Sequence, residues 1–388
     1  MSPMIKKIGA DVGNDTLKIT VENNKNSEGF DKYEVMNVIC PGYQRRILGI
    51  ENSQLVNLLD VTIFDLNNNK ETNLGRYFVG GLAYKESRGD LIEKTSEDIK
   101  AESEYTLYLL LTGLAYALYE EKNPVKHENI SLGTVLPIEE YFNDDLLNKF
   151  KNKLWNKTYK VKFNSKAFND AEITMTFINT YIEAEGAAAT YSYTFNFDGT
   201  YKKGMENVEN EVHLGIDIGS ITTEITVLEN GEFNSKGLFG INIGTAYPLD
   251  KIAAELKMTR NIDITRHQLD YILRKGKKFT VNIDGQIVDL TDELQTLKEV
   301  HFNNFIKYLV NQINKELSTR GINTKFFNRV NMTGGGSILV IDNFKKEFKK
   351  GNVILAENPR YANAIGSLSV VMANEQQEDV AADEVLNS

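Results

Sequence analysis

The stretch VHLGIDIGSITTEITV, residues 212–227, decides the reading of this chain because it is written twice: residues 6–21 read KKIGADVGNDTLKITV. At a constant offset of 206, Gly9 matches Gly215, Asp11 matches Asp217, Gly13 matches Gly219, Thr16 matches Thr222, Thr20 matches Thr226 and Val21 matches Val227. Each copy is an apolar strand, an Asp-x-Gly turn carrying Ser, Thr or Asn, and a second strand with β-branched residues. That is the pattern of a β-hairpin with a polar tip. Backbone N–H groups exposed by such a glycine turn can hold phosphate oxygens, and the carboxylate beside them can hold Mg2+ through water. A single Asp-x-Gly arises by chance about once or twice in a chain this long. A pair half a chain apart implies duplicated halves, and two such tips facing each other would clamp a nucleotide triphosphate.

Composition narrows the class. The 388 residues leave room for two domains, and 41% hydrophobic with 25% charged residues is the balance of a globular protein. Acidic residues outnumber basic ones by 54 to 44, and the formal charge of −10 opposes broad attraction to nucleic acid or anionic lipid. The opening MSPMIKKIGADVG has no apolar signal core. The longest greasy run, YTLYLLLTGLAYALY at 105–119, is too short to span a bilayer and is interrupted by Thr112 and Gly113, so it reads as a buried helix. Cys40 is the only cysteine, which excludes an intrachain disulfide, and His127, His213, His267 and His301 are too scattered to suggest a metal site. The expectation is a cytoplasmic protein without structural zinc, acting neither in a membrane nor directly on nucleic acid.

In chain order, residues 28–83 mix short β-like pieces with turns, among them Asn67, Asn68 and Asn69, and read as a strand-rich lobe over about 28–90. SEYTLYLLLTGLAYALYEEK, 103–122, has leucines and aromatics nearly all round, as a helix buried on most sides would. ISLGTVLPIEEYF follows as a strand that turns outward at Leu136 and Pro137. The lysines and aromatics of KFKNKLWNKTYKVKF, 149–163, are spaced as on a solvated helix followed by an edge strand. ITMTFINTYIEAEGAAATYSY, 173–193, starts as a strand and ends in small residues, Gly186 to Ala189, with Glu183 and Glu185 at the hand-over to a closely packed helix. Residues 196–211 are a polar loop.

In the second half, GLFGINIGTAYPLDKIAAEL reads as a strand and turn into a helix, followed by a short helix near 265–274 and a hairpin, KFTVNIDGQIVDL, with Asp284 and Gly285 at its turn. A long helix over 291–319 puts Leu294, Leu297, Phe305, Leu309, Ile313 and Leu317 on one face, with Gly321 as its stop. RVNMTGGGSILV is a strand ending in three glycines, either a flexible tight turn or a place where backbone lies flat against a ligand, the latter favoured by the two hairpins. NVILAENPRYANAIGSLSVVMA supplies a last strand and helix, and NEQQEDVAADEVLNS, with five acids and no bases, reads as disordered.

Five stretches in this order resemble the signatures of the actin, Hsp70 and sugar-kinase superfamily: GADVGNDTLKI and GIDIGSITTEI for phosphate, YIEAEGAAA and YANAIGS as connections, and NMTGGGSIL for adenosine. Within it, RYFVGGLA, LGTVLPIEEY, EAEGAAA, INIGTA and RYANAIGS look most like bacterial plasmid-segregating actin-like proteins of the ParM type. The resemblance implies an α/β actin-like fold, two ribonuclease-H-like domains around a nucleotide cleft. Its expected limits are 1–185 for the first domain, 186–360 for the second, a helix over 361–374 returning to the first, and an acidic disordered tail over 375–388.

It also implies a site. Asp11 and Asp217 would hold Mg2+ through its waters. Gly13, Asn14 and Asp15, with Gly219, Ser220, Thr222 and Thr223, would supply donors to the phosphates. Lys18 would add positive charge, which its counterpart Glu224 cannot. Gly334, Gly335, Gly336 and Ser337 would lie against the adenosine, with Ile338 and Leu339 near the base. Glu185 would position the attacking water. Ala184 stands where the family has proline, and strand alternation points Glu183 and Glu185 the same way, so Glu183 is a rival.

The function implied is an ATPase, with GTP as the alternative nucleotide, that self-associates into dynamic filaments and moves plasmid DNA through an adaptor protein bound to centromere DNA. A small-molecule kinase of the same superfamily is the rival, but it would need a catalytic Asp in the first domain and a sugar-binding insert. With a charge of −10, the pure protein is expected to retard DNA only weakly at physiological salt. Tight sequence-specific retardation in a gel-shift assay would contradict this.

Overall fold

The hairpin written twice is formed twice. The computed structural model describes residues 5–45, 53–67, 70–93, 98–283, 286–323 and 327–386. Strands β1 (Ile5–Val12) and β2 (Thr16–Glu22) pair antiparallel with Asp11 opposite Lys18. Two compact units contain the two copies: residues 1–203 with 361–388, and residues 204–360. The first takes in the segment after residue 185 because the helix that follows packs on the C-terminal helix of the same unit.

The first unit continues with β3 (Phe30–Met36), β4 (Val38–Pro41), β5 (Asp60–Asp65), β6 (Thr72–Val79), α1 (Gly81–Glu86), β7 (Ile92–Glu93) and α2 (Glu104–Leu118). Then come β8 (Val125–Leu136), α3 (Ile138–Tyr141), α4 (Asp144–Leu154), β9 (Thr158–Phe163), β10 (Glu172–Ala184) and α5 (Ala187–Thr194). Among the described residues its strands form one ten-stranded sheet in the order β3-β2-β1-β8-β10-β9-β5-β6-β4-β7. β1, β8 and β10 run parallel, and the flanking pairs are antiparallel. Two sequence expectations change here. β3 belongs to the main sheet, paired along its length with β2, so the lobe begins only at β4. β9 is not an edge strand: β10 pairs on one side and β5 on the other, which joins the lobe to the main sheet.

Helix α2 covers one face of this sheet. Ser103 caps it by accepting from Thr106 N at 3.2 Å, and six leucines of the helix are buried. At about 1.5–3 kcal/mol per buried leucine, packing outweighs intrinsic helix propensity. Gly113 lets α2 come close to Leu17 of β2.

The second unit has β11 (Val212–Ile218), β12 (Thr223–Glu229), β13 (Glu232–Phe233), β14 (Phe239–Ile241), α6 (Ala246–Arg260) and α7 (Arg266–Lys275). It goes on with β15 (Thr280–Ile283), β16 (Gln286–Asp289), α8 (Thr291–Thr319), β17 (Arg329–Thr333), α9 (Gly334–Glu347) and β18 (Asn352–Leu355). Its main sheet runs β13-β12-β11-β17-β18, with β14 also on β12. α8 spans the residues expected and stops as its glycine foretold: Gly321 is left-handed (φ 78°), and Ile322 N donates to Leu317 O at 2.8 Å. The turn residues Asn68, Asn69, Asp284 and Gly285 lie outside the described residues.

The chain ends with α10 (Ala362–Leu386), which packs on β1, β8 and α5 of the first unit. It runs as helix through the acidic segment expected to be disordered, because Glu, Gln and Ala there are good helix formers. No described helix is long and apolar enough to cross a membrane. α10 sits against bare backbone: a Cβ at Gly9 would collide with Ala364 O and Leu368 N, and one at Gly133 with Ser367 O. Thr20 Oγ1 donates to Ala364 O at 3.0 Å in the same seam. Gly133→Val is therefore expected to cost at least about 1–3 kcal/mol, since the obstacle is main chain and cannot rotate away. Urea denaturation checks this, and an unchanged midpoint would contradict the packing.

Candidate functional site

In the first unit, the candidate residues collect around one side chain that the sequence reading did not single out. Asp11, at the end of β1, is 5% exposed. Lys18, its ladder partner, holds Nζ 3.6 Å from Asp11 Oδ2. Lys100, in the loop before α2, is completely buried, and its Nζ lies 2.9 Å from Glu185 Oε1 and 3.9 Å from Asp11 Oδ1. Burial opposes charge on this amine, but Glu185 and then Asp11 outweigh that, and its pKa is raised. Lys18, Asp11, Lys100 and Glu185 thus form a continuous chain of alternating charge.

The hairpin tip is built for a tight approach. A Cβ at Gly13 would press on Lys18 Nζ at 2.6 Å, so the glycine leaves the ammonium its place. Asn14 and Asp15 are half-buried at the tip. Asn37, another residue missed in the sequence, secures it: Nδ2 donates to Gly13 O at 2.7 Å, and its backbone N donates to Asp15 O at 2.9 Å.

Glu183 and Glu185 have different neighbours. β10 ends at Ala184, so alternation no longer governs Glu185, which lies in the following turn with its backbone N on Leu136 O at 2.8 Å. Its side chain goes to Lys100. Glu183 instead is desolvated, with a pKa pushed up to about 7, and the pKa values of Tyr141 and Tyr191 beside it are raised by their own burial and then by Glu183. The turn is fixed from α10, where Asn363 Oδ1 accepts from Gly186 N at 3.0 Å and Ala189 N at 3.2 Å.

In the second unit, β11 and β12 place Asp217, 7% exposed, opposite Glu224, 4% exposed. The tip closes through Gly219 N donating to Thr222 O at 2.9 Å. Gly219 O and Ser220 O accept from Thr245 N (3.1 Å) and Ala246 N (2.8 Å), tying the tip to the start of α6. Ser220 Oγ is buried and makes no hydrogen bond among the described residues, so it is available as a donor. The Thr223 hydroxyl is engaged elsewhere: it is buried and donates to Ile243 O at 2.8 Å.

The three glycines open α9 and divide by cause. Gly334 has φ 84°, and a Cβ there would strike Ile218 O and Asp217 Oδ1. At Gly336 a Cβ would lie 2.7 Å from Thr245 Cγ2. Gly335 is different, since a Cβ would make only ordinary contact, 3.7 Å from Arg360 and 3.9 Å from Arg274. The protein's own packing requires glycine at 334 and 336 but not at 335. Arg274, on α7, donates to Gly335 O at 2.6 Å and to Asp270 Oδ2 at 2.7 Å. The Ser337 hydroxyl is buried and turns back to Thr333 O. Of the two residues expected near the base, Ile338 is 40% exposed, whereas Leu339 faces the apolar core of the unit. No cluster of three or more metal-ligating side chains occurs among the described residues.

These two hairpins, each flanked by parallel strands and helices, make the fold actin-like, as the five stretches implied. Residues 215–346 match the family model of the archaeal actin homologue MreB-like C-terminal domain. The structure is similar to that of the actin-like protein Alp7A, with TM-score 0.77 at 18% identity over 98% of this chain and 100% of that one. Bacillus thuringiensis ParM with ATP gives TM-score 0.68 at 19% identity over 96% and 99% of the two chains. An archaeal actin homologue gives 0.67 at 14% identity over 95% and 100%. No curated protein matches by sequence.

Glu183 carries a pH dependence whose sign follows from its environment. Its carboxyl has an ordinary value of 4.5 and a folded value of about 7, so between these the folded chain holds the proton that the unfolded chain has released. Its contribution to stability is therefore greatest below the unfolded value and falls as pH rises toward 7. Against Glu183→Gln, which cannot titrate, the wild type is expected to lose up to about 3 kcal/mol of stability across that interval. Denaturant melts of both proteins at several pH values check this, and parallel pH curves would contradict it.

Proposed function

We propose that the chain is an actin-like ATPase that polymerises in its triphosphate state and disassembles after hydrolysis, segregating plasmid DNA through a separate adaptor. The observation that carries the reading is the buried Lys100 ammonium, which joins Glu185 to Asp11 at 2.9 and 3.9 Å. Phosphoryl transfer asks little covalent chemistry of a protein, so positioning and charge neutralisation supply most of the catalysis. The solved ParM structures lend support: forms are described with ADP, with AMPPNP and with ATP, and another as a non-polymerisable quadruple mutant.

In this reading Gly13, Asn14, Asp15, Gly219, Ser220, Thr222 and the Thr223 backbone donate to the phosphates, and Lys18 adds charge. Asp11 and Asp217 suit a hard cation held through water, and Asp11 Oδ1 is buried without a hydrogen bond among the described residues. Mg2+ bound there would neutralise charge developing on the phosphates. Gly334, Gly335 and Gly336 lie against the adenosine, with the Ser337 backbone and Ile338 near it. GTP is the alternative nucleotide. With Oε1 committed to Lys100, Glu185 has Oε2 to orient the attacking water, whereas desolvated Glu183 faces two tyrosines. A head-to-tail contact between identical subunits is heterologous and does not close, so it grows a filament.

Glu185→Ala is expected to bind ATP and polymerise, yet to release phosphate about 100-fold more slowly, with filaments that outlast those of wild type. Phosphate release and light scattering recorded together check this. Normal phosphate release would remove Glu185 from the mechanism, and slow release with unchanged filament lifetime would break the link between hydrolysis and disassembly. Asp11→Ala and Asp217→Ala should each weaken binding of Mg-ATP in calorimetry. If both bound like wild type, the site would be wrong.

A further inference from the structure

The segment LGTVLPIEEY carries a carboxylate that the proposed chemistry leaves without a task. Glu140 lies in the short helix α3, directly after β8. Its Oε1 accepts from Lys100 N at 2.9 Å and its Oε2 from Ala101 N at 2.8 Å. Both carboxylate oxygens therefore grip two consecutive backbone N–H groups in the loop before α2. These are charge-assisted bonds, stronger than neutral ones.

The gripped residue is the one whose ammonium reaches Glu185 and Asp11. Lys100 emerges from irregular backbone, with helix α2 starting only at Glu104, so no regular ladder of hydrogen bonds sets its Cα. Other contacts among the described residues hold the stretch after Lys100, including Lys149 Nζ on Glu102 Oε1 at 2.5 Å. Glu102 N and Ser103 N each donate to Ile99 O, at 3.3 and 3.2 Å, and Lys153 Nζ reaches Glu102 O at 2.7 Å. The two bonds from Glu140 are shorter than the turn bonds and act on Lys100 and on Ala101 next to it. Glu140 also adds to the negative field that keeps the Lys100 amine charged.

We propose that Glu140 is a positioning residue for hydrolysis, which fixes the backbone of Lys100 and through it the carboxylates of Glu185 and Asp11. The proposal rests on the hydrolytic reading given above. It assigns Glu140 no contact with nucleotide. Its loss should thus reach the chemical step through the placement of Glu185 and leave nucleotide binding largely as it was.

Steady-state hydrolysis by the full chain tests this with ATP as the substrate. Glu140→Ala is expected to lower kcat on the order of 10- to 100-fold with KM for ATP within about threefold, the scale of a misplaced catalytic group. Glu140→Gln keeps one acceptor oxygen and is expected to recover much of kcat. The decisive measurement is a double-mutant cycle with Lys100→Met. If Glu140 works through Lys100, adding Glu140→Ala to Lys100→Met changes kcat by less than about twofold, whereas independent roles multiply. Should Lys100→Met fail to fold, the cycle is run with Glu185→Ala instead, where the same loss of effect is expected. Multiplying effects, a kcat unchanged in Glu140→Ala, or a loss confined to KM would overturn the proposal while leaving the ATPase reading intact. An inactive wild type would overturn that reading itself.

Discussion

A buried ammonium has to be balanced, and the way Lys100 is balanced organises the first unit. Moving an unpaired charge of this size out of water costs several kcal/mol even after the protein relaxes. Glu185, Asp11 and Glu140 meet that cost from three different places: the turn after β10, the end of β1, and α3. Segments far apart in sequence are thereby held to one point. Such a cluster is weak evidence for stability, because apolar side chains of similar volume often serve a core as well or better. What apolar residues cannot do is hold two carboxylates in fixed places against a buried ammonium. The cluster therefore makes more sense as a means of placing charge than as a means of holding the fold together.

The duplicated hairpins are equal in backbone and unequal in electrostatics. Asp11 faces Lys18 across its ladder, and Asp217 faces Glu224 at the matching rung. Directly opposed residues in an antiparallel pair feel each other strongly, so the first tip is near neutral at this rung while the second concentrates acid. The supports differ as well. Asn37 holds the first tip, and the start of α6 holds the second through Thr245 and Ala246. Duplication supplied the strand-turn-strand device, and the elements around each copy determine what its tip presents.

Much of the fold was legible because periodic signals are local. The repeated hairpins, the all-round apolar helix α2 and the long helix α8 with its glycine stop each follow from residues a few positions apart. What escaped depends on partners distant in the chain. β9 has the alternation of an edge strand, yet β5 pairs with it about 100 residues away in sequence, a partner no local pattern announces. Lys100 sits in SEDIKAE, an unremarkable polar stretch, and only folding reveals that its amine is buried. Asn37 and Arg274 are likewise ordinary in sequence. Thr223, Ser337 and Leu339 were drawn in by motif, but their side chains are committed to Ile243 O, Thr333 O and the apolar core.

Glu183 and Glu185 show where a strand pattern stops applying. Alternation holds only while the chain remains a strand, and β10 stops one residue before Glu185. The stop has identifiable causes. Gly186 takes φ 77°, a left-handed conformation that turns the chain out of the ladder. Asn363 then accepts the Gly186 and Ala189 N–H groups, and the closeness of Gly366 to Ala188, where a Cβ would strike the Ala188 carbonyl, presses α10 onto α5. The two stretches YIEAEGAAA and YANAIGS, some 180 positions apart, are thus one structural device. Gly186 of the first turns the chain and Asn363 of the second holds that turn, which carries the carboxylate directed to Lys100 just past the one left among tyrosines.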